Sequence, residues 1–125
     1  MSTAPLCLVV DDSRVIRRLA TDILKSLGLR TAEAEHGLAA VEYCRSQIPA
    51  MVLLDWNMPE MTGIEFVQAV RKDARYDGMQ IVMVTSENEM ANVAAALEAG
   101  ANEYLMKPFT KEALEEKIAL LGLSA

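Results

Sequence analysis

Histidine and cysteine are scarce in this chain, which holds one histidine, His36, and two cysteines, Cys7 and Cys44. Zinc bound by imidazole and thiolate needs several such residues at ligand spacing, and His36 has no partner, so that chemistry is excluded. His36 reads as an ordinary loop residue. Cys7 and Cys44 lie inside apolar segments and read as small buried hydrophobes rather than a disulfide. No apolar run approaches the ~18 residues of a membrane-spanning helix. Met1 to Pro5 lacks a basic stretch followed by an apolar one, so export is not expected and a cytoplasmic location is. Positive charge is also short: 12 Lys and Arg stand against 18 Asp and Glu, a net charge of −6. Such a surface disfavours nucleic acid as a partner, since backbone phosphates need basic side chains. Any phosphate site must therefore find its compensation locally.

What the 125 residues do contain is 52% hydrophobic sequence, enough for the core of a single domain. Short apolar runs alternate with helical patterns. Leu6–Val10, Met51–Leu54 and Ile81–Val84 are continuous apolar segments, as expected of parallel strands covered on both faces. Arg30 to Glu35 is a more polar strand, suited to a sheet edge, and Glu103 to Met106 is a short fifth one. Ser13 is placed to cap a first helix with the stripe Ile16, Leu19, Ala20, Ile23, Leu24 and Leu27, which Gly28 ends. Gly37 to about Gln47 carries a second helix through Leu38, Val41 and Cys44 or Tyr43. A third bears Ile64, Val67 and Val70, and a fourth runs from Met90 to Ala99. Thr110 caps a fifth, with Leu114, Ile118 and Leu121. Five strands alternating with five helices predict an α/β domain with a parallel sheet and right-handed crossovers.

Four of the strands end on residues able to do chemistry: Asp11 and Asp12, Asp55, Thr85 and Lys107. In an open α/β sheet the carboxyl ends of the strands share one edge, where ligands bind. Taken singly, Asp12 or Thr85 is no more than a helix cap and Lys107 a solvated charge. Five such groups on one edge make a site. Two carboxylates about 4 Å apart repel by roughly 4 kcal/mol at an effective dielectric near 20, so three crowded acids either hold their protons more tightly or require a cation. A hard ion such as Mg²⁺, taking one or two carboxylates and several waters, suits them. Between such an ion, the Lys107 ammonium and the Thr85 hydroxyl, a phosphoryl group has its oxygens compensated on three sides. A carboxylate placed there can form an acyl phosphate, and Asp55, between the other acids and Lys107, is the best-placed nucleophile.

The segments Val9-Val10-Asp11-Asp12-Ser13, Leu54 to Pro59 with Gly63, Val84-Thr85 and Lys107-Pro108-Phe109 resemble the response-regulator receiver domains of two-component signalling, chemotaxis members most of all. The likeness runs from Leu6 to about Leu121. It implies a flavodoxin-like sheet of order 2-1-3-4-5, an order the family supplies. Asp55 would be the phosphoacceptor. Asp12 and Asp55 would ligate Mg²⁺ with the backbone carbonyl of Asn57, Asp11 acting through water. Lys107 would pair with the phosphoryl group, its bond to Pro108 cis. Thr85 would move to the phosphoryl oxygen and Tyr104 swing inward, altering the face formed by the fourth helix, last strand and fifth helix. Asn57 and Glu87 resemble the pair found in fast-dephosphorylating members, which implies a short-lived acyl phosphate. Ser86 departs from the alanine frequent in chemotaxis members.

The donor implied is a phosphohistidine on a sensor kinase or phosphotransfer protein; Arg14, Val15 and Arg18 on the first helix read either as its docking surface or as a solvated helix face. Only Gly122 to Ala125 follow the last helix, so no output domain is expected and a monomer would signal by protein contact, in chemotaxis or motor control. The alternative within the family is a phosphorelay shuttle or phosphate sink. An aspartate-dependent phosphatase would want a second acid two residues after the nucleophile, where this chain has Asn57. An FMN binder would want a Gly/Ser/Thr-rich loop where this chain has Asp11-Asp12-Ser13-Arg14.

Overall fold

In the computed structural model, residues 4–56, 58, 60–86 and 91–123 are described. The elements run β1 (Leu6–Val10), α1 (Arg14–Ser26), β2 (Arg30–Ala34), α2 (Gly37–Ser46), β3 (Met51–Asp55), α3 (Gly63–Arg71), a 3-10 turn (Ala74–Tyr76), β4 (Gln80–Thr85), α4 (Val93–Ala99), β5 (Glu103–Met106) and α5 (Lys111–Leu120). The strands form one parallel sheet of order β2-β1-β3-β4-β5. The two doubly covered strands β1 and β3 are buried throughout, whereas β2, at the edge, is exposed or half-buried at every position but Ala34.

Alternate residues of each strand feed opposite faces of the sheet, which is why the central runs must be apolar at every position. Leu8, Val10, Val52, Leu54, Ile81 and Met83 face α2, α3 and α4 through Ala40, Cys44, Phe66, Val67 and Ala96. Cys7, Val9, Met51, Leu53, Val82 and Val84 face α1 and α5 through Ala20, Leu24, Leu114 and Ile118. Each Val, Leu, Ile, Met or Phe among them contributes about 1.5–3 kcal/mol by leaving water. These two layers hold the strand ends, and hence the site, in fixed register.

Helix ends follow local chemistry. The Ser13 hydroxyl accepts from the Ile16 amide at 3.2 Å, and Thr110 caps α5 through the Ala113 amide at 3.1 Å. Gly28 ends α1 with φ 88°, letting the Leu29 amide reach the Leu24 carbonyl and the Gly28 amide reach Lys25. That paired arrangement satisfies carbonyls the helix would otherwise leave open.

Three readings of the sequence need correction. His36 is not a plain loop residue: its Nδ1 accepts from the Ala39 amide at 3.1 Å and caps α2. Leu19 and Leu38 are 44% and 49% exposed, so the stripes in α1 and α2 are rotated from those expected. The buried face of α1 is Arg17, Ala20, Thr21 and Leu24, and that of α2 is Gly37, Ala40 and Cys44. The helix expected from Met90 runs from Val93 in the described residues, and Met90 itself lies outside them.

Candidate functional site: an acidic cluster at the carboxyl edge of the sheet

Asp11 directly follows β1, Asp55 and Thr85 are the last residues of β3 and β4, and Lys107 directly follows β5. Strand register aligns them, with Val10 opposite Leu54, Asp55 opposite Val84, and Thr85 opposite Met106. From β5 to β3 is two strand spacings, roughly 10 Å, a gap that the long lysine stem closes. The Lys107 ammonium lies 3.0 Å from Asp11 Oδ2 and 3.2 Å from Asp55 Oδ1. Its backbone amide donates a hydrogen bond to the Thr85 carbonyl at 2.7 Å, and the Lys107–Pro108 peptide is cis, as expected.

Asp11 and Asp55 are 2% and 6% exposed, a cost that only pairing offsets. Burial pulls the Lys107 pKa down, but hydrogen bonding to Asp11 and the charges of Asp55 and Asp11 outweigh it, so the ammonium is held above its ordinary value. One oxygen from each of Asp11, Asp12 and Asp55 lies within 4.8 Å of the others, Asp12 being exposed. Three carboxylates and one ammonium leave two negative charges, matching a divalent ion. Opposite oxygens around Mg²⁺ are about 4.2 Å apart, so this all-oxygen set fits a small hard cation, with water completing the shell. The donor set suits magnesium and offers nothing to a soft metal.

The loop after β3 needs Gly63. A Cβ there would sit 2.9 Å from the Asp55 carbonyl and 2.6 Å from the Met83 methyl, and the Gly63 amide donates to the Trp56 carbonyl at 2.9 Å. The start of α3 thus packs directly on the strand end bearing Asp55. A capping box between Thr62 and Glu65 fixes that start. Thr85 is buried with its hydroxyl donating to the Ser86 carbonyl at 3.3 Å, turned to backbone. Tyr104, within β5 opposite Met83, is half-buried, with the Lys117 ammonium 5.0 Å from its ring centroid. Arg14, Val15 and Arg18 are exposed on α1 and line a shallow hollow with Arg17 and Glu33. Asn57 and Glu87, the pair expected to tune dephosphorylation, lie outside the described residues.

Two participants escaped the sequence reading. Arg17, 8% exposed, donates to the Asp11 carbonyl at 2.6 Å and to Glu33 at 3.0 Å. The spacing 17, 20, 21, 24 is a full helical face, and following it backward from Leu24 would have placed Arg17 inside.

A doubly wound sheet with two buried acids, a third acid beside them and a bridging lysine at its carboxyl edge is the architecture of a receiver domain. The chain belongs to the response regulator receiver domain family, whose pattern it matches over residues 7–119. Among its relatives, it is 45% identical over 116 residues to chemotaxis protein CheY1 of Helicobacter pylori, covering 91% of this chain and 94% of that one. It is 47% identical over 113 residues to a chemotaxis CheY homolog of Campylobacter jejuni, covering 89% and 87%. Its structure is similar to that of chemotaxis protein CheY4 of Vibrio cholerae, with a TM-score of 0.89, 32% identity and coverage of 95% and 99%. Among the described residues no helix is long and apolar enough to cross a membrane.

Proposed function

We propose that this chain is a cytoplasmic switch that takes a phosphoryl group onto Asp55 and signals by protein contact, in chemotaxis. The observation that carries the reading is Lys107, whose ammonium bridges the buried acids Asp11 and Asp55. A carboxylate so placed is buried and already beside the cation that a transferred phosphoryl group requires.

In the transfer, an Asp55 carboxylate oxygen attacks phosphorus and the P–N bond of a donor phosphohistidine breaks, its electron pair leaving with the imidazole. Asp11, Asp12 and Asp55 would hold Mg²⁺, together with the Asn57 carbonyl expected from the family pattern. When bound, the ion supplies charge compensation for the phosphoryl oxygens. Lys107 compensates the same charge from the other side, and the rigid strand ends hold the groups at attack distance. Thr85, at present bonded to the Ser86 carbonyl, would turn to the phosphoryl oxygen. Tyr104 would then move inward and leave Lys117, reshaping the α4–β5–α5 face for a downstream partner. Hydrolysis, tuned by Asn57 and Glu87, would reset the switch; apart from its own phosphorylation and dephosphorylation the chain catalyses nothing. The exposed Arg14, Val15 and Arg18 beside the acids suit a donor protein docked over Asp55.

Affinity capture with and without beryllofluoride, a phosphoryl mimic, tests the output. The activated wild type is expected to retain a downstream protein that the untreated protein and Asp55→Asn release. Identical capture by all three would overturn the switch reading.

A further inference from the structure

Arg17 is a buried cation, and arginine is seldom buried unless paired. Its Nε donates to Glu33 Oε1 at 3.0 Å, and its Nη1 donates to the Asp11 main-chain carbonyl at 2.6 Å. Asp11 is held from other sides as well. Its amide donates to the Ala34 carbonyl of β2 at 3.2 Å, its Oδ1 accepts from the Ser13 amide at 2.8 Å, and its Oδ2 meets Lys107. Glu33 and Ala34 are neighbours in β2, so two bonds clamp one strand end onto the turn that carries Asp11 and Asp12.

We infer that Arg17 is a positioning residue for the metal-binding acids, acting through the Asp11 backbone; the inference rests on reading Asp11, Asp12 and Asp55 as the Mg²⁺ site. Arg17 acts on a dication in two opposite ways. As a charge it repels the ion, and its loss would tighten binding. As a brace it fixes the turn bearing two of the acids, and its loss would weaken binding. Groups that orient metal ligands typically govern affinity by about 10–100-fold, and an ion pair with Glu33 already offsets much of the charge. The brace therefore dominates, and the sign of the change separates the two roles.

Calorimetric titration of the unphosphorylated full chain with MgCl₂ tests this. Arg17→Met is expected to raise the Mg²⁺ Kd about tenfold, while the phosphorylation rate at saturating Mg²⁺ stays near wild type. Arg17→Lys keeps the charge without the forked geometry and recovers only part of the affinity. It also covers the case in which Arg17→Met does not fold. Arg45→Met removes an exposed charge on α2, where it pairs with Glu42, and leaves Kd unchanged. Unchanged or tighter Mg²⁺ binding in the folded Arg17 variants overturns the positioning role. A wild type that binds no Mg²⁺ overturns the metal site itself.

Discussion

Lys107 decides what Asp55 can do, because an ammonium 3.2 Å from a buried carboxylate offsets its charge and, on the proposed function, would meet the charge of its product. The acids and Lys107 were legible in the sequence because each follows an apolar run, and strand ends share an edge whatever their separation in the chain. Arg17 was not, since a charged residue inside a helical stripe reads as solvated until its partners are known. Cys7 and Cys44 behave as their apolar surroundings imply. Burial pushes the Cys7 thiol far up, and that of Cys44 to about 11. Neither forms appreciable thiolate near neutral pH, so both are expected to resist thiol reagents in the native protein and to react on denaturation. Rapid native labelling would contradict that. Gly63 carries a sharper expectation. Gly63→Ala places a methyl against the Asp55 carbonyl and should cost about 1–3 kcal/mol in denaturant unfolding. An unchanged midpoint would mean that α3 can retreat from the strand freely.

Elements were legible in proportion to how strictly burial constrains them. Runs such as Leu6–Val10 and Met51–Leu54 are covered on both faces, leaving the sequence little choice. The helices expose one side each, so their apolar stripes tolerate strays such as Leu19 and Leu38, and the phase read from those strays was displaced. β5 and α5 are joined by Glu103 and Lys117 at 2.9 Å, with Lys117 also over Tyr104. Burial alone would raise the Glu103 carboxyl, but Lys117 and the Tyr104 amide outweigh it and hold its pKa below the ordinary 4.5. A carboxyl depressed in the folded state stabilises the fold above its unfolded value and loses that contribution as pH falls through the folded one. Glu103→Gln is therefore expected to lower the melting temperature near neutral pH, with the gap to wild type closing in acid below the folded-state pKa. A gap that persists unchanged in acid would show that the charge on Glu103 is not its source.

At the scale of the molecule, a protein of net charge −6 gathers three acids and one lysine at a single edge, and on the proposed function a phosphate there would need a bound cation. The order β2-β1-β3-β4-β5 sets Asp11 and Asp55 on adjacent strands and Lys107 within reach of both. Alternation of strands and helices announced the class of fold from the sequence, whereas the strand order came from family resemblance, since no local pattern encodes which strands are neighbours. Phosphorylation at that edge is the central claim. Treatment with a small-molecule phosphodonor and Mg²⁺, followed by borohydride, reduces an aspartyl phosphate to homoserine, which peptide mass mapping locates. Reductive conversion at Asp55 alone, lost without Mg²⁺ and lost in Asp55→Asn, is the expected result. Conversion at another acid, or none in the wild type while the donor is consumed, would contradict it.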